Sequence, residues 1–194
     1  MQIIQPDDLG FAAALQVLRE GGVVAHATET CYGLACDMSD TTAVARLFAI
    51  KQRRGDQPVS ALFSSVEAAK QFVTWNERAE ELAKEGLPGP LTIILPLRPG
   101  APHRLFPTPN GGDSLGVRVS PHPVALRLVT EFGRPVSTTS ANVSGGPNPY
   151  SAAEIERQFS GMEAQPELIL DSGALPEVPP STVVDCREGK NVVR

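Results

Sequence analysis

Short aliphatic runs alternate with helix-length amphipathic segments along nearly the whole chain, and this alternation is its strongest constraint on fold. Runs of Val, Leu, Ile and Ala bounded by Gly, Pro or polar residues read as buried strands, whereas apolar spacing near 3.6 reads as helix. Strands are expected at Val23 to Ala25, Val59 to Phe63, Thr92 to Leu97, Leu115 to Val119, Pro135 to Thr138, Glu167 to Leu170, Thr182 to Asp185 and Asn191 to Val193, the last after a turn at Glu188-Gly189. Helices are expected at Asp7 to Glu20, Ser39-Asp40 to Arg53, Val66 to Val73, Glu77 to Glu85, Pro123 to Phe132, and from Ser151, with Glu154 at the capping-box position. Such alternation points to an α/β fold with helices covering a sheet. At 194 residues, one domain spanning 1–194 is the expected organisation. Aromatics are only 5% of the chain, so the core must be mainly aliphatic.

The formal charge of −5 argues against a surface that binds nucleic acid by bulk electrostatics. Cys31, Cys36 and Cys186 lack CxxC spacing, which suits reduced thiols rather than a disulfide framework or zinc site. The first ten residues lack a basic, apolar leader pattern, and no stretch is apolar enough to span a membrane, so a cytoplasmic location is expected. Between Arg98 and Ser114 lies a Pro- and Gly-rich stretch without periodicity, longer than most loops in compact domains and a candidate lid.

Three cations stand out: Lys51 and Arg53 in the last turn of an expected helix, and Arg118 between Val117 and Val119. Phosphates and carboxylates need charge-assisted donors, which Arg supplies as a planar fork and Lys as a point charge. Cations in a last helical turn also complement the helix dipole, so a structural role competes. The loop Ser140 to Gly146 offers hydroxyls, an amide and two glycines just after a strand, yet its composition equally suits a plain turn. Thr28-Glu29-Thr30 and Ser181 place hydroxyls beside strands, where open α/β sheets often bind ligands, though these residues equally suit the start of a turn. The chain contains no GxxxxGK[ST], GxGxxG or GxSxG. His26, His103 and His122 lack metal-ligand spacing, so no metal ligand is expected from protein side chains.

Several segments, taken in order, carry a more specific signal. They are Ala27-Thr28-Glu29-Thr30-Cys31-Tyr32-Gly33-Leu34, Ile50-Lys51-Gln52-Arg53, Pro88-Gly89-Pro90-Leu91-Thr92, Gly116-Val117-Arg118-Val119 with His122-Pro123, Ser137 through Gly145, and Ser181-Thr182-Val183-Val184-Asp185. In this order they resemble the YrdC/TsaC family, the threonylcarbamoyl-AMP synthases, nearly end to end. Ala27 replaces the family's usual Pro and Arg54 the Pro that commonly follows KxR, without loss of a functional side chain.

The resemblance implies a twisted mixed sheet with flanking helices around a large concave cavity, in the family's short form without an added C-terminal domain. It implies condensation of L-threonine, bicarbonate and ATP, with Mg²⁺ as counter-ion, to threonylcarbamoyl-AMP and pyrophosphate, for threonylcarbamoyladenosine in tRNA. Lys51 and Arg53 would be catalytic and, with Ser140, Asn142 and Ser144, hold ATP. Arg118 would clamp the threonine carboxylate, with Thr28, Thr30 and Ser181 reading its amine and hydroxyl. The product would pass to a transferase complex of TsaD-, TsaB- and TsaE-like proteins. Two rival readings are a carbamoyl-phosphate-dependent relative, which is larger and carries zinc-finger domains, and a factor that binds double-stranded RNA or matures ribosomes.

Overall fold

The aliphatic runs pair into one mixed sheet. A computed structural model describes residues 1–187. The strands are β1 (Gln2–Ile4), β2 (Val24–Ala27), β3 (Tyr32–Ala35), β4 (Ser60–Leu62), β5 (Leu91–Pro96), β6 (Ser114–Arg118), β7 (Val136–Ser140), β8 (Leu168–Leu170) and β9 (Thr182–Asp185). The helices are α1 (Asp8–Arg19), α2 (Thr41–Lys51), α3 (Val66–Ala69), α4 (Glu77–Gly86), α5 (Pro123–Phe132) and α6 (Ala152–Phe159). Strand order is β1-β8-β2-β3-β7-β4-β6-β5-β9, with parallel pairs β1/β8, β8/β2, β4/β6 and β5/β9 and the others antiparallel.

Helix ends follow local chemistry. The Asp7 carboxylate accepts from Gly10 N at 2.8 Å and starts α1; Pro123 opens α5 and Gly133, at φ 75°, ends it. Ser151 caps α6, but Glu154 reaches back to Tyr150 N rather than to the cap's own amide.

The two sheet faces bury different helices. Ala25, Ala27, Ala61, Ile93 and Val117 pack with α2, α4 and α6, while Val24, Ala35, Leu62, Val136, Leu168 and Leu170 pack with α1 and α5.

Four expectations change. β1 and β3 are strands that the sequence pattern did not mark, because β1 is a short edge strand and Tyr-Gly-Leu-Ala lacks both alternation and β-branching. The helix expected over 66–73 is one turn, with Phe72 and Val73 continuing as packed loop. α2 ends at Lys51, since Gln52 takes the left-handed conformation (φ 50°, ψ 39°), so Arg53 lies beyond the helix. The 98–114 stretch is pinned rather than free: Leu105 is buried, Phe106 N donates to Met38 O and Val59 N donates to Pro107 O. The strand expected at Asn191 to Val193 and its turn lie outside the described residues. No described helix is long and apolar enough to cross a membrane.

Candidate active site

Strand alternation assembles the site before any loop is added. Cross-strand register places Ser60 opposite Thr138, Gly116 opposite Ile94, and Thr92 opposite Val183. These positions share the sheet face that α1 and α5 cover elsewhere, but no described helix covers them here. The result is a cavity of about 460 Å³ floored by Ser60, Thr92, Ile94, Arg118, Thr138 and Val183. Its wall is completed by Thr139 and Ser140 at the end of β7 and by the loop residues Thr30, Cys31, Arg53, Pro58, Asn148, Pro180 and Ser181. Gly116 keeps the floor open: a Cβ there would meet Ser60 Oγ at 2.3 Å and Thr92 Cγ2 at 3.1 Å.

Arg118 is buried at one side of the cavity. Its Nη2 donates to Glu29 Oε1 and Thr30 Oγ1, each at 2.7 Å, while its buried Nε has no acceptor among the described residues. Arg118 also lines the cavity and so presents a cation to it. Burial pushes the Glu29 carboxyl up, but the Arg118 charge and hydrogen bonds from Ser120 and Arg118 outweigh it and hold Glu29 below its usual value. The ionised Glu29 fixes the orientation of Arg118. Thr28 sits one layer behind, where its hydroxyl donates to Cys31 O at 2.7 Å and accepts from Thr30 N and Cys31 N. That hydroxyl shapes the turn that presents Thr30.

The second cationic corner divides its two members. The left-handed turn at Gln52 sends Arg53 into the cavity wall, where Nε donates to Gln57 O and Nη2 to Pro58 O. Lys51, 2% exposed, lies under the following loop and does not line the cavity. Its ammonium donates to Ser140 O at 2.5 Å, Asn142 O at 2.9 Å and Asn142 Oδ1 at 3.0 Å. An ammonium has three N–H groups, so these acceptors saturate it. Burial, reinforced by the Arg53 charge, pulls Lys51 down to about 7. Asn142 is buried, accepting from Ser140 Oγ and donating to Gly146 O. Ser144 is exposed, and its backbone N donates to Lys51 O.

Arg53, Arg118, Thr30, Ser140 and Ser181 thus meet in one cavity, and Lys51, Thr28 and Asn142 support it from behind. Ser144 belongs to the loop's outer side. Sequence reasoning missed Glu29, Ser60, Thr92, Gly116 and Thr138 as site residues. The signal for most of them was a polar or small residue at alternate positions of an otherwise aliphatic strand. Behind Arg118, His26 is fully buried; burial lowers it to about 4, its Nδ1 donates to Ala27 O, and Nε2 has no partner among the described residues. Among the described residues, no group of three or more His, Cys, Asp or Glu is placed to hold a metal.

A cavity with an arginine from each of two directions and hydroxyls between them can gather two anions. A family model for Sua5, YciO and YrdC proteins, described as telomere recombination, matches residues 16–194. The chain belongs to the Sua5/YciO/YrdC family. It is 38% identical over 174 residues to the threonylcarbamoyl-AMP synthase of Pyrococcus abyssi, covering 88% of this chain and 49% of that one. It is 34% identical over 187 residues to the threonylcarbamoyl-AMP synthase of Bacillus subtilis, covering 95% and 52%. The crystal structure of P. abyssi Sua5 complexed with L-threonine superposes with a TM-score of 0.85 at 34% identity, covering 100% of this chain and 56% of that one. The chain spans about half the length of these relatives.

Proposed function

We propose that this Sua5/YciO/YrdC chain is an L-threonylcarbamoyladenylate synthase that works as one catalytic domain. The observation that carries the proposal is the convergence of Arg53 and Arg118, from separate elements, on one hydroxyl-lined cavity. Its volume of about 460 Å³ falls in the range of small-molecule sites.

In this reaction the threonine amine adds to bicarbonate and loses water to give a carbamate. A carbamate oxygen then attacks the α-phosphorus of ATP, and the bond to the pyrophosphate oxygen breaks. No protein nucleophile is needed, so the work is positioning and charge stabilisation. Arg53 and Ser140 face the triphosphate, and Lys51 with Asn142 acts through the loop that carries Ser140. Arg118, oriented by Glu29, takes the threonine carboxylate, while Thr30 and Ser181 read the amine and hydroxyl. Mg²⁺ travels on the nucleotide's phosphates, in keeping with its preference for substrate oxygens. The adenylate serves threonylcarbamoyladenosine formation in tRNA and is consumed by a downstream transferase complex of the TsaD, TsaB and TsaE kind.

The test incubates the protein with ATP, bicarbonate and each amino acid in turn, following pyrophosphate and the adenylate by mass. Turnover restricted to threonine is expected; its absence, or equal turnover with all amino acids, removes the assignment.

A further inference from the structure

The eleven residues 171–181 join β8 to β9 without a helix or strand of their own. β8 is second along the sheet and β9 last, so the connection passes seven strand spacings, on the order of 34 Å at the usual separation. A connection of this length reaches about 40 Å when extended, enough to span that distance without a helix or strand. Three of its residues, Pro176, Pro179 and Pro180, have no N–H with which to pair. Other groups must decide where this strap lies.

Tyrosine hydroxyls supply that decision. Tyr32 Oη accepts from Ser172 N at 2.8 Å and donates to Gly173 O at 2.8 Å. Tyr150 Oη donates to Val178 O at 3.2 Å, and Leu175 N donates to Tyr150 O. The strap ends at Pro180 and Ser181, which wall the cavity, with Ser181 Oγ 3.3 Å from Thr92 Oγ1 on the floor beside β6. The main chain of Tyr32 also ties the other cavity loops, donating from N to Pro149 O and accepting from Ala141 N. Its side chain is fully buried, two residues after Thr30, so nothing on the cavity surface reveals it.

We propose that Tyr32 is a positioning residue whose buried hydroxyl fixes the 171–181 strap and so sets where Ser181 presents its hydroxyl to the substrate held by Arg118. This rests on the threonine-binding reading above. The role is geometric rather than acid–base: burial pushes the phenol up to about 12, so it stays protonated through neutral pH.

Tyr32→Phe keeps the ring and removes only the hydroxyl. Amide exchange of the ligand-free protein, read over Ser172 to Val178, is expected to quicken about tenfold, for two neutral hydrogen bonds lost, each near the low end of its usual worth. The threonine KM is expected to rise by about the same factor, with kcat and the ATP KM within about threefold and the pH profile parallel to the unmodified protein. In a Ser181→Ala background, Tyr32→Phe should add nothing to the threonine KM. Tyr150→Phe, which removes one bond at mid-strap, should quicken exchange less and raise the same KM in the same direction. Unchanged exchange in both variants sinks the strap anchoring. Quickened exchange with an unchanged threonine KM, or an equal rise for ATP, sinks the link to Ser181. If the unmodified protein shows no threonine-dependent turnover, the activity and the substrate half of the proposal fall together, while exchange still decides the anchoring.

Discussion

β4 and β7 each pass from core to cavity within three residues, and the two ends behave differently. Leu62 pairs with Val136 in the cluster formed with α1 and α5, whereas Ser60 pairs with Thr138 on the open floor. Both pairs point to the same face. Alternation therefore chooses the face, and the reach of the covering helices chooses between core and site. Where no described helix reaches, the same face is left open as a cavity.

Four substitutions or titrations probe this contrast. The largest functional effect is expected on the open half: Arg118→Gln should lower kcat/KM for threonine by about 10²- to 10³-fold, as for loss of one charge-stabilising donor, in steady-state pyrophosphate release. On the covered half, Leu128→Ala, at a fully buried α5 position, should cost about 2–5 kcal/mol of unfolding free energy in denaturant titration. Its kcat/KM should stay within about twofold; a large catalytic loss there would break the division between the halves.

Gly116→Ala puts a methyl group against Ser60 and Thr92 and should cost about 1–3 kcal/mol by overpacking, together with weaker threonine binding by calorimetry. Adding Ser60→Gly should restore much of both, because the clash is with that side chain.

The last prediction concerns Lys51, at the border of the site. Its folded value of about 7 lies below the ordinary 10.5. Between those values the unfolded chain holds the extra proton, so this group's contribution to stability rises with pH, by at most about 1.4 kcal/mol per unit. Urea unfolding between pH 7 and 9 should show that rise in the unmodified protein relative to Lys51→Met. A flat difference would mean that the three oxygens around the ammonium hold its proton against burial.

Much of the fold was legible because aliphatic strands and capped helices announce themselves locally. α1, α2, α4 and α5 stand close to where apolar spacing and caps placed them. β3 was not legible because its Tyr, Gly, Leu and Ala gain strand character only from pairing with β2 and β7 on both sides. Within the site, Arg118 was legible as a charge between two valines. Glu29, by contrast, read as part of a turn until the fold set it against Arg118, 89 positions away. Lys51 and Arg53 looked alike in sequence, two residues apart at one helix end. The left-handed turn at Gln52 separated them, sending one to the cavity and the other beneath a loop.

Propensity, capping and periodicity act over a few residues, so the elements, their apolar faces and the inventory of charged and hydroxyl groups could be read along the chain. Which polar side chains share a cavity, which cation is saturated by backbone and amide oxygens, and how Tyr32 holds a strap about 140 positions away came only with the folded arrangement. Those outcomes depend on strand order and register, which bring residues into contact regardless of their distance along the chain.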